Sequence, residues 1–498
     1  DFHGTAYYFG RHPKLNAVSD STTHTPNTIK NHTWGATSQN PFVKNKVFNF
    51  FAYEGTNMRD ARTQKYTLPT KLERAGDFSQ TWVRAGQVRT IFDPLTSAFD
   101  AARNVAPRQP FPGNLVPQAR MDKTALRFLR DIWEPNNSDN ITGANNYVIT
   151  GPMQFRYWNM SDRADYYVSD SIKVFGRLSL FDTIQTEKNF VGSPALQKAG
   201  SERDTIQAQA DVVWTINPTT VFNIRGMAQK LTDSFYDEDM IIKGYEDFWP
   251  GNQWYKEYMA ELPQIYYPGL QIRAATTSTF GRDGFWFQEP MSWNIQSKLS
   301  KQVGAHYVKM GGEFRQMKNN CARPRPMGFY FDRAETSNDG LTPETARYGA
   351  AWATFLLGIP ASSSRIATVA LNDTRHEFYG FYIQDDLKLT QRITLNLGLR
   401  YEYETALKDP KRRLSRYLDL TQPIPEFQGA GAPVLPPEVM AIRGSAPKWN
   451  GAWIFTADDH PGAWDAPKKL ILPRFGLAYR VNDRTALRVG YARYATPG

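Results

Sequence analysis

The segment ITLNLGLRYEYE, residues 393–404, alternates strictly between apolar and polar side chains. Isoleucine, leucine or tyrosine occupies each odd-numbered position, and threonine, asparagine, glycine, arginine or glutamate each even one. Successive side chains leave a strand on opposite faces, so a period of two predicts a strand between two unlike environments. A soluble sheet with one face on a core provides such environments. So does a transmembrane barrel, with lipid outside and water inside.

The composition of the 498-residue chain leaves both structures open. It contains no run of 18 or more apolar residues, which excludes a transmembrane helix. Its mean hydropathy of −0.54 also fits a barrel with a polar lumen and polar loops. Aromatic residues make up 14% of the chain, which suits interfacial aromatic belts but also carbohydrate-binding proteins.

The formal net charge of +10 comes from Lys and Arg residues scattered along the chain. One dense cluster, KDPKRRLSR at 408–416, is interpreted as a solvated loop rather than a nucleic-acid site. Cys321 is the single cysteine, so no disulfide forms within the chain and no Cys-based metal site is expected. The seven histidines lack metal-ligand spacing, so we expect neither a metal nor a cofactor.

Repeated hairpins predict about thirteen antiparallel strands of roughly nine to twelve residues. Short turns alternate with long connections, at 57–152, 184–203, 231–287, 319–375 and 405–470. Short turns at one end and long loops at the other are typical of outer-membrane barrels. The sequence therefore predicts an all-β protein, an antiparallel transmembrane β-barrel with short periplasmic turns and long extracellular loops.

The predicted barrel is partial. Bacterial single-chain barrels have an even number of strands, and an open edge in lipid would leave backbone groups without partners. We therefore expect residues 1–498 to be part of a single barrel domain, with further strands missing at its C-terminal end.

Two acidic residues interrupt the apolar faces of the predicted strands, Asp162 and Asp385. A charge near the membrane edge costs little, so we expect Asp385, which lies close to its turn, at the interface. The sequence offers no such explanation for Asp162.

The polar faces of the strands provide candidates that line the lumen, where they contact water, a plug or cargo. These lumen-facing candidates are Arg163, Asp165, Lys309, Glu313, Arg315, Arg400, Glu402, Arg474 and Arg488. Aromatic residues in the third long loop are candidates for first contact with a sugar or peptide: Trp249, Trp254, Tyr255 and Tyr258.

The segment MDKTALRFLRDIW, residues 121–133, has apolar residues at helical spacing and predicts a helix that packs within its loop. A lid that captures cargo is the alternative. Acidic clusters at 236–240 and 457–460 lack the regular spacing of a calcium loop, so we interpret them as solvated. No nucleophile elbow, HExxH motif or acid–base pair occurs, so an enzyme is not expected.

Several segments resemble one family of receptors. They include DFHGTAYYFGRHPKLNA (1–17), KNKVFNFFAYEGTN (44–57), LPTKLERAGDFSQ (68–80), FYGFYIQDDLKLTQRITLNLGLRYEYE (378–404) and ILPRFGLAYRVNDRTALRVGYARY (471–494). The chain resembles the barrel portion of Oar-like TonB-dependent receptors. That resemblance implies a Gram-negative outer-membrane protein that binds cargo with extracellular loops and moves it through a plugged barrel. It also implies contact with the TonB complex through a plug domain. The plug and the N-terminal regulatory-like domain of the family are absent from this sequence.

The cargo stays open among siderophores, peptides, proteins and glycans. Two other functions remain as alternatives. A passive porin-like or adhesin-like outer-membrane barrel would have no energised step. A soluble β-protein that binds carbohydrate would also account for the aromatic content.

Overall fold

The computed structural model describes residues 1–19, 22, 24, 26–98, 100, 102, 106–187, 191–196, 200–235, 247–253, 255–257, 267–281, 286–322, 327–339, 347–363, 372–435 and 437–495. Its dominant element is one antiparallel sheet of thirteen strands, in which each strand pairs with its neighbours along the chain. This confirms the predicted all-β class and the predicted number of strands. Among the described residues, the first and last strands of the sheet pair on one side only, so the sheet is not closed.

The thirteen strands of this sheet are numbered here in chain order. They are β1 His3–Arg11, β2 Lys30–Val43, β3 Val47–Tyr66, β4 Tyr147–Tyr167, β5 Ile172–Glu187, β6 Ser201–Asn217, β7 Thr220–Phe235, β8 Trp286–Val303, β9 His306–Ala322, β10 Asn372–Lys388, β11 Ile393–Glu404, β12 Leu470–Asn482 and β13 Thr485–Ala492.

Many of these strands are longer than the predicted nine to twelve residues. β3 has 20 residues and β4 has 21, and they pair continuously from Val47 opposite Tyr166 to Tyr66 opposite Tyr147. The predicted loop 57–152 therefore begins and ends inside these two strands. Polar residues at their outer ends broke the apolar alternation, but the backbone there continues to form ladder hydrogen bonds.

The two faces of the sheet differ sharply in polarity. Cross-strand pairs share a face, and Ile295 of β8 pairs with Gly226 of β7 and Phe314 of β9. We call the side that carries Ile295 the apolar face. Large aliphatic side chains are exposed there: Ile295 is 47% exposed and Leu399 of β11 is 49% exposed. A continuous exposed apolar surface of this kind is stable against lipid and not against water.

Asp162 and Asp385, the two acidic residues that interrupt the predicted apolar faces, have partners near the short-turn end of the sheet. Asp385 pairs with Val308, and its Oδ2 lies 2.6 Å from Nδ1 of His306, the first residue of β9. Asp385 thus lies close to the turn, and its place at the membrane interface stays a prediction. Asp162 accepts a hydrogen bond from Nδ2 of Asn49, which lies two residues after the start of β3. That hydrogen bond explains how the carboxylate is tolerated on this face.

Small elements fill the connections between the sheet strands. The α-helices are Lys71–Arg74, Lys123–Leu129, Ala351–Leu356 and Pro437–Arg443. The 3-10 helices are Pro13–Leu15, Pro94–Thr96, Pro112–Asn114, Gln118–Arg120, Ala334–Thr336, Pro425–Phe427 and Gly429–Gly431. None of the helices within the described ranges is long and apolar enough to span a membrane.

The short strands of these connections form separate sheets. One sheet has four strands in the order Thr277–Phe280, Gly269–Arg273, Gly328–Phe331, Ser362–Ser363. Two-stranded pairs join Trp82–Arg84 to Gln87–Val88, Phe92–Asp93 to Gln109–Pro110, and Ser415–Pro423 to Asn450–Phe455.

Four long loops share a single hydrophobic core. We call the described residues within 67–146, 191–196, 247–281 and 327–363 the loop domain. Phe128, which is 1% exposed, contacts the rings of Phe248, Tyr267 and Phe355, so three loops meet at this one side chain. Each aromatic ring buries a large apolar area, and aromatic pairs add further stabilisation. These loops therefore pack together as one folded unit.

The predicted helix at 121–133 is present in a shorter form, Lys123–Leu129. Asp122 caps it, because its Oδ1 accepts a hydrogen bond from the backbone N–H of Ala125 at 2.9 Å. Ala125, Phe128 and Leu129 are buried, as predicted for a helix that packs within the loops.

The assignment of the two faces predicts that a new lysine destabilises the protein on the apolar face but not on the other face. Ile295→Lys would place an ammonium on the apolar face and cost about 2–4 kcal/mol if that position lies at the bilayer midplane. Gln296→Lys, next to it on the other face and opposite Glu313, serves as the control and should be nearly neutral. Urea denaturation of the protein in lipid vesicles measures both. Equal destabilisation by the two substitutions would contradict the assignment.

The loop core predicts that its central ring can be removed without unfolding the sheet. Phe128→Ala should cost the loop domain about 3–5 kcal/mol, the usual range for a buried phenylalanine. Limited proteolysis should then cut within the loop domain while the sheet strands stay protected. Leu126→Ala, at an exposed position of the same helix, is the control and should leave the digestion pattern unchanged.

Candidate functional site: a charged sheet face and a loop domain

All nine lumen-facing candidates lie on the face opposite Ile295, which we call the charged face. Cross-strand pairing places them in continuous rows. One row runs Arg163, Arg177, Gln209, Met227, Asn294, Arg315, Phe378 and Glu404, and the next runs Asp165, Phe175, Asp211, Arg225, Gln296, Glu313, Gly380 and Glu402. Lys309, Arg400, Arg474 and Arg488 fall on the same face by the same pairing. Alternation in single strands thus identified nine residues from five different strands that share one face.

Ion pairs neutralise most of these candidates. Three pairs link residues two apart in one strand: Arg163–Asp165 at 2.7 Å, Arg315–Glu313 at 3.5 Å and Arg400–Glu402 at 2.5 Å. A separation of two keeps both side chains on one face, which makes such pairs geometrically simple. Lys309 instead pairs across strands, with its Nζ 2.8 Å from Oδ2 of Asp386. Arg163 also stacks 4.0 Å from the ring centre of Phe175.

Arg474 and Arg488 differ from the other candidates. Within the described part of the chain, neither has a carboxylate in ion-pair contact, and Arg474 instead lies 5.3 Å from the ring centre of Tyr494. Arg474 borders an open trough of about 540 Å³, together with Asn396 and Gly490, beside the unpaired edge of the sheet. Their charges are therefore free to interact with groups outside the described residues.

The two nearly fully buried carboxylates on this face were missed by sequence reasoning. Asp211 is only 2% exposed and accepts hydrogen bonds from Nε of Arg225 at 2.8 Å and Nδ2 of Asn223 at 2.9 Å. Asp233, also 2% exposed, accepts a hydrogen bond from Nη2 of Arg203 at 3.0 Å. A buried carboxylate needs such partners, because without them nothing offsets the free-energy cost of removing its charge from water.

A sequence signal for Asp211 was available. It lies among the polar positions of the segment IQAQADVVWTI, whose apolar positions are the alternate ones. Its partner Arg225 lies in β7, where alternation is weak, so the pair becomes visible only through the register between β6 and β7.

The four aromatic loop candidates are not arranged as an exposed platform. Tyr255 is 3% exposed and contacts the ring of Trp249 at 4.8 Å, and Trp249 packs against the core of the loop domain. Trp254 and Tyr258 lie outside the described residues. Contact of these four residues with cargo stays a prediction, and for Tyr255 it would require the loop core to open.

Metal ligation is not supported by the described part of the chain, which contains no group of three or more His, Cys, Asp or Glu side chains able to hold an ion. Of the two acidic clusters, 236–240 lies outside the described residues. In the cluster at 457–460, Asp458 forms an ion pair with Arg412 at 3.2 Å.

An antiparallel sheet with one lipid-compatible face, one charged face and a large loop domain defines an outer-membrane barrel protein. The chain belongs to the family described as "Outer membrane beta barrel domain", whose model matches residues 1–498. Its location is the bacterial outer membrane. No curated protein sequence matches the chain.

Solved structures of outer-membrane receptors are similar at low identity. The ferric-catecholate import receptor Fiu of E. coli K12, in its open form, has a TM-score of 0.40 and 10% identity, over 95% of this chain and 55% of that one. The closed form has a TM-score of 0.40 and 10% identity, over 94% and 50%. The copper transporter OprC has a TM-score of 0.41 and 7% identity, over 99% and 45%. The chain thus spans about half the length of these structures.

The pair Asp211–Arg225 predicts a measurable loss of stability. Arg225→Gln should destabilise the sheet by roughly 1–3 kcal/mol, less than a fully buried pair would lose because Arg225 is half exposed. Arg488→Gln is the control, because this arginine lacks a carboxylate partner among the described residues. The temperature at which the folded protein loses its distinct mobility in SDS gels should fall only for Arg225→Gln. An equal fall for both variants would contradict the role of the pair.

Proposed function

We propose that this chain is the greater part of the barrel wall of a TonB-dependent outer-membrane transporter, of the Oar-like type that its sequence resembles. One observation carries the proposal: a sheet with a lipid-compatible outer face and a charged inner face bears a folded loop domain on its long-loop side. Membership in the outer-membrane barrel family supports the same conclusion.

The open edges of the sheet support the presence of further strands in the membrane. β1 and β13 each have an edge without a partner strand among the described residues. In lipid, every unpaired N–H and C=O of such an edge costs several kcal/mol, on the order of the desolvation of one peptide group. We therefore infer that additional strands join these two edges and close the barrel around a plug.

The two parts of the chain would serve two steps of transport. The loop domain, a stable surface on the long-loop side, would capture cargo. The charged face would line the lumen, where most of its charges already have partners and so do not hold a passing solute tightly. Energy would enter through the TonB complex acting on the plug, and not through chemistry in this chain.

A passive porin-like barrel is the second candidate. A water-filled lumen would also favour the charged face, because ionised side chains are stable in contact with water. The two functions differ in whether the lumen is plugged and whether the protein contacts TonB.

The deciding experiment uses the native protein extracted from outer membranes in detergent. Its intact mass, its binding to the purified periplasmic domain of TonB, and its conductance in planar bilayers are measured together. A transporter should have a mass well above the 56.8 kDa of this chain, bind TonB and give no steady ionic current. A steady current without TonB binding would establish the porin-like alternative and overturn the proposal.

A further inference from the structure

The loop domain contains a cavity of about 290 Å³ that is separate from the charged face of the sheet. Segments far apart in sequence line it. The backbone N–H of Thr90 binds the carbonyl of Arg347, and the N–H of Gly349 binds the carbonyl of Thr90. These two bonds bring Arg89 to the same wall as Arg333 and Trp352.

Gly349 is required for this juxtaposition. Its φ is +69°, in the region that favours glycine, and a Cβ built there would lie only 2.0 Å from the carbonyl oxygen of Arg333. The backbone at Gly349 therefore packs directly against the backbone of Arg333, three residues before Trp352.

The cavity wall carries an excess of positive charge. Arg89 and Arg333 supply two guanidinium groups, and neither forms an ion pair within the described ranges. Glu73 is the single carboxylate of the wall, and its net charge of minus one offsets only one of the two guanidinium groups; its Oε2 accepts from the N–H of Thr70 and its Oε1 from the hydroxyl of Thr81, both at 2.8 Å. Burial, followed by the neighbouring Arg333, lowers the pKa of Arg89 to about 10. Arg89 is thus still charged at neutral pH.

Two buried hydrogen-bond donors in this wall lack a partner among the described residues. They are Nη1 of Arg89 and Nε1 of Trp352, whose side chain is 3% exposed. Buried donors are nearly always satisfied in proteins, and an unpaired buried charge is costlier still. The guanidinium groups of Arg89 and Arg333, neither of which forms an ion pair within the described residues, are complementary to an anion with several acceptor oxygens.

The rest of the lining suits a polar molecule. The segment at 137–143 contributes the hydroxyl and amide groups of Ser138, Asn140 and Thr142, and Trp82 lines the same cavity. The volume is at the lower end of the roughly 300–1,000 Å³ typical of small-molecule sites. A ligand about the size of one sugar ring would suit this volume.

We propose that this cavity binds the carboxylate or phosphate group of a small hydroxylated molecule. Arg89 and Arg333 pair with the anion. Binding at this site does not depend on transport, so the proposal can fail or hold independently of the function proposed above.

The test is a titration of the native protein in detergent, followed by tryptophan fluorescence and calorimetry. D-galacturonate and inorganic phosphate are the anionic probes, and D-galactose is the neutral match for the first. At least one anion should bind saturably, and galactose should bind at least about tenfold more weakly, because it lacks the charged hydrogen-bond acceptor. Binding of galacturonate alone would assign the site to a carboxylate, and binding of phosphate alone to a phosphate group.

Variants separate binding from folding. Arg89→Gln and Arg333→Gln should each weaken anion binding at least about tenfold, whereas Arg130→Gln, an exposed arginine paired with Asp247, should not. Because Arg89 is half-buried and has no ion-pair partner in the described residues, Arg89→Gln should unfold at the same or a higher temperature. Absence of saturable anion binding at millimolar concentrations, or binding unchanged in both variants, would overturn the proposal.

Discussion

The pairing of backbone hydrogen bonds between neighbouring strands is the constraint on which the rest of this structure depends. In lipid no water can replace a missing ladder bond, so each strand must match its neighbour along its full membrane crossing. Because the pleat has a period of two, this matching also decides which side chains share a face. The register that satisfies the backbone therefore also collects leucine, isoleucine and phenylalanine on one side and arginine, aspartate and glutamate on the other. The same ladders continue past the apolar band, which is why β3 and β4 reach 20 and 21 residues.

The charged face shows how such a surface remains stable. Four of the six predicted cations on it lie beside a carboxylate two residues away or on the next strand, so these charges are largely neutralised. Asp211 is the clearest case, since it is almost completely buried and its charge depends on Arg225 and Asn223. Arg474 and Arg488 lack carboxylate partners in the described part of the chain, and they lie toward the unpaired edge where closure of the barrel would bring other groups.

The loop domain is stabilised by different interactions from those that stabilise the sheet. Its stability comes from aromatic side chains of several loops that pack around Phe128. This packing fixes the backbone well enough to hold arginines 89 and 333 in the wall of one cavity, which repulsion between like charges would otherwise oppose. Long loops on an outer-membrane barrel can thus form a preorganised surface, for which binding need not include the entropic cost of ordering a mobile segment.

The sequence by itself determined the strand class, the number of strands, the two faces and the asymmetry of loop lengths. These features depend on local alternation and on spacing along the chain, both of which can be read from a single sequence. The tertiary structure decided the length of the strands, the pairing of Asp211 with Arg225, the burial of Tyr255 and the cavity beside Trp352. Each of these depends on contacts between residues far apart in sequence, and alternation within one strand contains no information about its register or about how loops pack. The nine charged candidates were found because they obey the local rule, and the buried partners were missed because they obey only the long-range one.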